Sequence, residues 1–244
     1  MWGAVIEAFV VATVFVAALL QSLSGFGFAI VVMPLLTLVL GVQMAAPIVA
    51  MAGLTVYAIN LVRYRQAIDL GELLRLASAS ILGALAGLWV LVNVSESVVE
   101  RLLGLVLMGY ALYSWMQPAA LRPLSRQWVY PAGFLAGCLG GAYNTPGPPV
   151  VVYGSLRQWP KDEFRAMLQS LFLVNAVVVV ASHLVARHVT GQVFRLYLYA
   201  LPALMLGILA GARVDHRLDQ KRFHMLMAAM ILVLGFSLVL GAGR

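Results

Sequence analysis

Residues 140–149, Gly-Gly-Ala-Tyr-Asn-Thr-Pro-Gly-Pro-Pro, interrupt an otherwise apolar run. They cannot continue an α-helix, because proline removes an amide donor and collides with the preceding turn, while glycine leaves the backbone loosely held. A shorter break, Ser24-Gly25-Phe26-Gly27-Phe28, interrupts an earlier apolar run in a matching context. Within a bilayer, backbone that leaves the helix must find its partners in protein or in a wet cavity. Two such breaks therefore restrict the fold more than any other feature of the chain.

Composition makes the bilayer the expected surroundings. Of 244 residues, 63% are hydrophobic and only 10% are charged, where soluble domains carry about a quarter charged residues. Mean hydropathy is +0.96. The chain is expected to be an all-α polytopic membrane protein. Its net charge of +7 comes from 16 Lys and Arg against 9 Asp and Glu. These residues sit in short links between apolar runs, as topology signals do, rather than on one soluble face that would engage nucleic acid. The lone Cys138 leaves no intramolecular disulfide to form. Residues 1–7 have no basic n-region, so the first run reads as a retained spanning helix rather than a cleaved signal.

The apolar runs fall at about 4–21, 29–40, 43–62, 73–92 and 98–116, and then at 128–143, 150–156, 165–186, 194–212 and 223–240. The runs 29–40, with Pro34 inside, and 150–156 are too short for the roughly 30 Å hydrocarbon core at 1.5 Å per residue, and read as half-helices. The order repeats, which predicts two halves, 1–116 and 128–244, joined by a link at 117–127 that holds Arg122, Pro123 and Arg126. An echo of 81–87, Ile-Leu-Gly-Ala-Leu-Ala-Gly, at 205–211, Met-Leu-Gly-Ile-Leu-Ala-Gly, supports a repeat of four to five segments including a broken or re-entrant short helix.

Charge predicts how the halves are oriented. Arg63 and Arg65, and the Arg122/Arg126 joint, mark one face as cytoplasmic, while the acidic link 93–100 reads as external. In the second half the richest basic link, with Arg213, Arg217, Lys221 and Arg222, falls one segment later. The halves are therefore expected to be inverted, with both termini external, whether the broken pairs cross fully or form re-entrant hairpins. Arg187, His188, Arg195 and Arg244 lie outside in this arrangement.

Inversion aims two half-helix N-termini at a common region near the midplane. Each exposes amides without internal partners and carries about half a positive charge, so the pair makes an anion site. The candidate substrate-binding residues are Ser24, Gly25, Phe26, Gly27 and Phe28 at the first break and Tyr143, Asn144, Thr145, Gly147 and Pro148 at the second, with Arg165 at the start of the long segment after it. Glycine permits close approach to the backbone; Ser24, Asn144 and Thr145 offer side-chain hydrogen bonds. Plainer roles compete. The breaks could be kinks that let helices pack, Ser24, Asn144 and Thr145 could re-satisfy freed backbone groups, and Arg165 could snorkel to the interface. Gln169 extends a polar path or bonds a neighbouring helix, and an interhelical bond is the expected use of Asn175. Asn60 and His183 read as interface residues, with a proton relay the alternative for His183. The four-residue glycine spacings 133/137/141, 83/87 and 207/211 read as helix packing. Trp2, Trp115, Trp128 and Trp159 read as interfacial belts.

At these same residues the chain resembles the TauE/SafE family of sulfite and organosulfonate exporters. The resemblance rests on 24–28 followed by Val32-Met33-Pro34-Leu35-Leu36, on 140–149 followed by Val150-Val151-Val152-Tyr153, on the Gly83/Gly87 stretch and on Phe164-Arg165-Ala166. It covers nearly the whole chain. It implies a multi-pass protein of the inner (plasma) membrane whose substrate is a small anion such as sulfite or a sulfonate. Where many members have a plainer glycine-rich run, this chain has Phe26 and Phe28, which would narrow or dry the site.

No nucleotide-binding loop, His-Glu-x-x-His run, Cys/His metal cluster or Gly-x-Ser-x-Gly elbow occurs, so no cofactor, metal, catalytic residue or enzymatic activity is expected. Glu7, Glu72, Glu96, Glu100, Asp162 and Glu163 all fall near segment ends, which leaves no intramembrane acid for proton coupling. The expected function is secondary export of a small oxyanion by alternating access. The alternatives are a passive anion channel and a membrane scaffold or accessory subunit without transport. The oligomeric state is open, a homodimer among the options.

Overall fold

A computed structural model of the chain describes residues 2–116 and 124–214 and, beyond them, residues 229, 232, 233, 235, 236, 239 and 240. Residues 117–123 of the expected joint, with Arg122 and Pro123, lie outside the described residues. So do Arg217, Lys221, Arg222 and Arg244 and most of the last apolar run.

The apolar runs become helix because in lipid only bonding within the segment satisfies every amide. In chain order the helices are α1 (Trp2–Ser24), α2 (Phe28–Leu40), α3 (Val42–Tyr64), α4 (Leu70–Asn93), α5 (Glu96–Met116), α6 (Val129–Tyr143), α7 (Gly147–Leu156), α8 (Lys161–Val185) and α9 (Gly191–Val214). There is no strand among the described residues. By length and apolarity α1, α3, α4, α8 and α9 can each cross a membrane. The 13 residues of α2 and the 10 of α7 extend only about 20 and 15 Å, too short to cross alone. The protein is an all-α polytopic membrane protein, as its composition predicts.

Packing rests on small residues. α4 lies along α6 with the two backbones in contact: a Cβ on Gly83 or Gly87 would fall on the carbonyl oxygens of Phe134 and Cys138, and one on Gly137 or Gly141 on those of Ser80 and Ala84. α1 lies against α9 in the same manner, with Gly207 facing the Phe15 carbonyl and Gly211 that of Leu19. The Ser22 hydroxyl donates across this seam to the Ile208 carbonyl at 3.1 Å. α3 and α8 pair between these two seams. Partnership is thus α1 with α9, α4 with α6 and α3 with α8, always between the first and second halves of the chain. The four-residue glycine spacings do serve packing, and they work because no side chain separates the facing backbones.

Polar contacts show where the helices begin and end. Leu124 N–H donates to the Leu156 carbonyl at 3.0 Å, and Arg157 Nη1 donates to the Leu124 carbonyl at 3.0 Å. The chain entering α6 and the chain leaving α7 therefore lie together, and α6–α7 is a re-entrant hairpin rather than a crossing pair. The first turn of α4 is at this end too, because Arg157 pairs with Glu72 at 3.3 Å. α8 starts there as well: Arg165, in its second turn, reaches the Tyr64 hydroxyl at the end of α3 at 2.9 Å. The start of α1 meets the start of α9 through Glu7 and Arg195 at 3.3 Å.

Trp115 and Trp128 are about half exposed, as belt residues are. Trp159 departs from that expectation. Its ring packs edge-on against Tyr153 at 5.4 Å and against Phe164, and the seat beside Gly154 is too tight for a Cβ there. The turn after α7 folds the indole inward, so a position near a segment end does not make it an interfacial anchor.

If the α4–α6 seam depends on backbone contact, Gly137→Ala should destabilise the protein by about 1–3 kcal/mol through overpacking. Gly109→Ala, on a face with nothing within 4 Å, should leave the unfolding midpoint in detergent within a degree or so of wild type, since surface substitutions usually cost under about 0.5 kcal/mol.

Candidate functional site

The first break turns the chain between α1 and α2 through two left-handed glycines, Gly25 at φ 82 and Gly27 at φ 109. A helix whose cap residue is glycine has no side chain of its own to bond its first amides. Gln21, one turn back on α1 and 1% exposed, supplies what is missing. Its Oε1 accepts from Phe28 N–H at 2.9 Å, and its Nε2 donates to the Gly25 carbonyl at 3.2 Å and to Gln169 Oε1 at 3.3 Å. Gln169 on α8 donates to the same Gly25 carbonyl at 2.7 Å. Arg165, one turn earlier, lies over Gly25, with its Cγ 3.0 Å from where a Cβ would stand. Its Nη2 donates to the Leu23 carbonyl at 3.1 Å. Ser24 Oγ donates to the Leu20 carbonyl at 2.8 Å, touches the Phe26 carbonyl and accepts from Phe26 N–H at 3.3 Å.

The second break is built differently. Asn144 takes the left-handed conformation at the end of α6, φ 56 and ψ 21, and its N–H donates to the Gly140 carbonyl at 2.9 Å. Its side-chain Nδ2 crosses to α3 and donates to the Ala46 carbonyl at 2.9 Å. Thr145 N–H donates to the Leu139 carbonyl at 3.2 Å. The Thr145 hydroxyl, 1% exposed, has no partner. α7 then begins at Gly147 behind Pro146. Pro146, Pro148 and Pro149 have no N–H, so Gly147 carries the one amide donor of residues 146–149.

On α8, Asn175 Nδ2 donates to Ser80 Oγ at 2.6 Å and to the Leu171 carbonyl at 3.2 Å. A carbonyl can only accept, so this pairing fixes which end of the amide is nitrogen. Asn175 Oδ1 then faces Gly140 and is unpartnered. A cavity of ≈ 10 Å³, lined by Tyr57, Gly140, Asn144, Pro146, Phe172 and Asn175 among others, lies here; it is about the space one water needs.

A register difference explains why one break is filled and the other is not. Arg165 and Gln169 are the fifth and ninth residues of α8, and the fifth and ninth residues of α3 are Ala46 and Ala50. α8 therefore brings two long polar side chains to the first break, where α3 brings two methyl groups and a carbonyl to the second. Between the breaks lie apolar side chains. Phe28 packs edge-on against Tyr57 at 6.4 Å, and Tyr57 against Phe172 at 5.2 Å. A Cβ on Gly147 would meet Ile30 of α2 and Phe172, each at 3.6 Å.

The family model for the sulfite exporter TauE/SafE matches residues 10–238, nearly the entire chain. The chain belongs to the TauE/SafE family. It is also similar to a protein of Comamonas testosteroni described as "Probable inner membrane transporter protein TsaS", 29% identical over 160 residues. That match takes in 64% of this chain and 66% of the relative, just under two thirds of the relative's length. No solved structure matches the chain.

In this TauE/SafE chain the candidate residues form two groups with the aromatic layer between them. Ser24, Gly25, Phe26, Gly27, Phe28 and Arg165 cluster at the first break, and Tyr143, Asn144, Thr145, Gly147 and Pro148 at the second. The Phe26 ring turns away to meet Tyr110 of α5 edge-on at 6.2 Å. Ser24 and Asn144 spend their side chains on protein backbone. Arg165 is 5% exposed and does not snorkel outward, because Leu23 and Tyr64 hold its guanidinium inside. Asn175 makes the interhelical bond expected of it. His183 is buried rather than interfacial, with Nδ1 3.1 Å from that of His188. Asn60, also buried, has an unpartnered Nδ2.

Sequence reasoning missed Gln21 and Tyr57. A glutamine inside an apolar run one turn before a break was a usable signal for Gln21, since lipid gives such a side chain no other partner. Nothing local marks Tyr57. Replacing Gln21 with Leu should strand the Phe28 amide and destabilise the protein by about 1–3 kcal/mol, read as a lowered unfolding midpoint.

Proposed function

We propose that the protein is a secondary transporter of the inner membrane that exports a small oxyanion, sulfite or an organosulfonate, by alternating access of two inverted halves, 1–116 and 128–244, joined by 117–127. The observation that carries the anion site is the Thr145 hydroxyl. It is buried and unpartnered in the turn into α7, and its chain neighbours Asn144 and Pro146 line the small cavity. An unsatisfied buried donor costs about 1–3 kcal/mol, which an anion arriving there recovers. The partial positive charge of the helix start adds attraction without a full cation. At the first break the Phe28 amide is taken by Gln21 and the Phe26 amide by Ser24, so the second supplies most of the contacts.

Topology supports the inversion. α6–α7 enters and leaves at the end where α8 begins. α8 crosses to the start of α9, which Glu7 ties to the start of α1. α3 runs antiparallel to α8, ending at Tyr64 beside Arg165, so α2 returns to the end where α1 starts. The two hairpins then open to opposite faces. Arg63, Arg65 and Arg126 at the α6–α7 end favour that face as cytoplasmic. The Phe28–Tyr57–Phe172 layer between the breaks favours a carrier over an open pore. Export needs no separate drive, since an inside-negative membrane expels an anion with about 2.3 kcal/mol per charge per 100 mV.

The test is calorimetric titration of purified protein with sulfite and with methanesulfonate. Thr145→Val removes a hydroxyl that bonds nothing in the free protein, so folding should be unaffected. Anion affinity should fall about tenfold or more, the worth of one hydrogen bond to a charged group. Unchanged affinity in a folded Thr145→Val protein rules this site out.

A further inference from the structure

A groove of ≈ 540 Å³ runs between α5, α6 and α7. Its walls are single helix faces: Val106, Gly109 and Tyr113 recur at three- or four-residue steps on α5, as do Pro149, Val152 and Leu156 on α7. The lining side chains are apolar except for the hydroxyls of Tyr110, Tyr113 and Tyr153. The Tyr153 hydroxyl is spent on Glu72, to which it donates at 2.5 Å. The α5 wall is open at Gly109, where a Cβ would meet no atom within 4 Å. Leu135, on the α6 wall, is 54% exposed.

The groove is about as deep as one leaflet. Trp128, half exposed, stands beside Leu124 at the end where α6 enters. Leu139, whose carbonyl takes the Thr145 amide, stands at the second break with Pro148 and Pro149. From Trp128 to Leu139 is eleven residues, about 16 Å of helix, or half of a roughly 30 Å hydrocarbon core. Arg126 is exposed and two residues from both Leu124 and Trp128. It puts a positive charge at the mouth. Arg157, at the same end, is spent on Glu72 and the Leu124 carbonyl.

We propose that this groove holds an acyl chain of one anionic glycerophospholipid from the leaflet at the α6–α7 end, with the headgroup at Arg126. Length, lining and charge choose a lipid over another protein. A spanning helix of a second copy crosses both leaflets, whereas the groove runs from the mouth to the second break and no further. Its apolar faces suit hydrocarbon, Trp128 suits the headgroup level, and a basic residue at a membrane surface attracts anionic lipid. The acyl chain covers the stripe of Pro149, Val152 and Leu156, so lipid supports this side of the half-helix that follows the second break. The inference does not depend on the transport reading.

The test uses the full chain purified in dodecylmaltoside and titrated with dioleoylphosphatidylglycerol or dioleoylphosphatidylcholine. Native mass spectrometry counts bound lipid, and the unfolding midpoint is followed in parallel. Wild type should retain one phosphatidylglycerol about fivefold more tightly than phosphatidylcholine, the worth of one basic residue near an anionic headgroup, and that lipid should raise the midpoint. Gly109→Trp places an indole in open space, so it should fold as wild type without lipid yet lose both the retained lipid and the rise. Leu135→Trp fills the groove from the α6 wall and should do the same, so the test survives if one variant folds poorly. Arg126→Ala should retain the two lipids equally. Phosphatidylglycerol retention equal to wild type in a folded Gly109→Trp or Leu135→Trp protein overturns the proposal, as does an unchanged preference in Arg126→Ala. A wild-type dimer that Gly109→Trp converts to monomer at equal lipid content also overturns it, because the occupant is then a second copy.

Discussion

A bilayer offers no water to a backbone amide, and the arrangement of this protein follows from that shortage. Wherever the chain leaves the helix inside the span, a side chain from elsewhere has to complete it. At the first break Gln21 replaces the cap that Gly27 cannot provide, and Gln169 and Arg165 cover the carbonyls of Gly25 and Leu23. These bonds fix how α1, α2 and α8 sit against one another. The glycine seams answer the same shortage: where apolar side chains gain nothing by leaving lipid, helices associate by close backbone contact.

The two breaks share an architecture and differ in chemistry. α8 delivers Arg165 and Gln169 to the first, and α3 delivers Ala46 and Ala50 to the second. Asn144 reaches across the shorter residues for a carbonyl, and the Thr145 hydroxyl and Asn175 Oδ1 are left over. A filled break is a fixed joint. The second break keeps spare polar atoms and a small cavity, and its half-helix is tied at the far end to Glu72.

Much of this was legible in the residues. Gly-Pro clusters inside apolar runs mark helix breaks whatever surrounds them, and four-residue glycine spacing marks contact faces, because both depend on local geometry. Positions near segment ends were read less well. Arg165, Glu72, His183 and Trp159 were all expected at or near the interface, and all turn inward. Depth along a helix predicts exposure only if nothing covers that end, and here Tyr153 and Arg157 lie over Glu72, Leu23 and Tyr64 hold Arg165, and His188 lies against His183. Ser24 and Asn144 bond protein backbone, one of the two uses their composition allows, because a side chain that bonds backbone and one that bonds an anion have the same composition.

By itself the sequence determined an all-α membrane protein with two broken helices and small-residue seams, since hydrophobicity, proline and glycine act within a turn or two of where they occur. Only the tertiary structure decided that α6–α7 returns to the end it entered from, that α1 pairs with α9 and α4 with α6, and which polar side chains find partners. Those outcomes depend on contacts between residues far apart in the chain: Gln21 with Gln169, Asn144 with Ala46, Glu72 with Tyr153. No local pattern encodes them, because each partner's position is set by how whole helices pack.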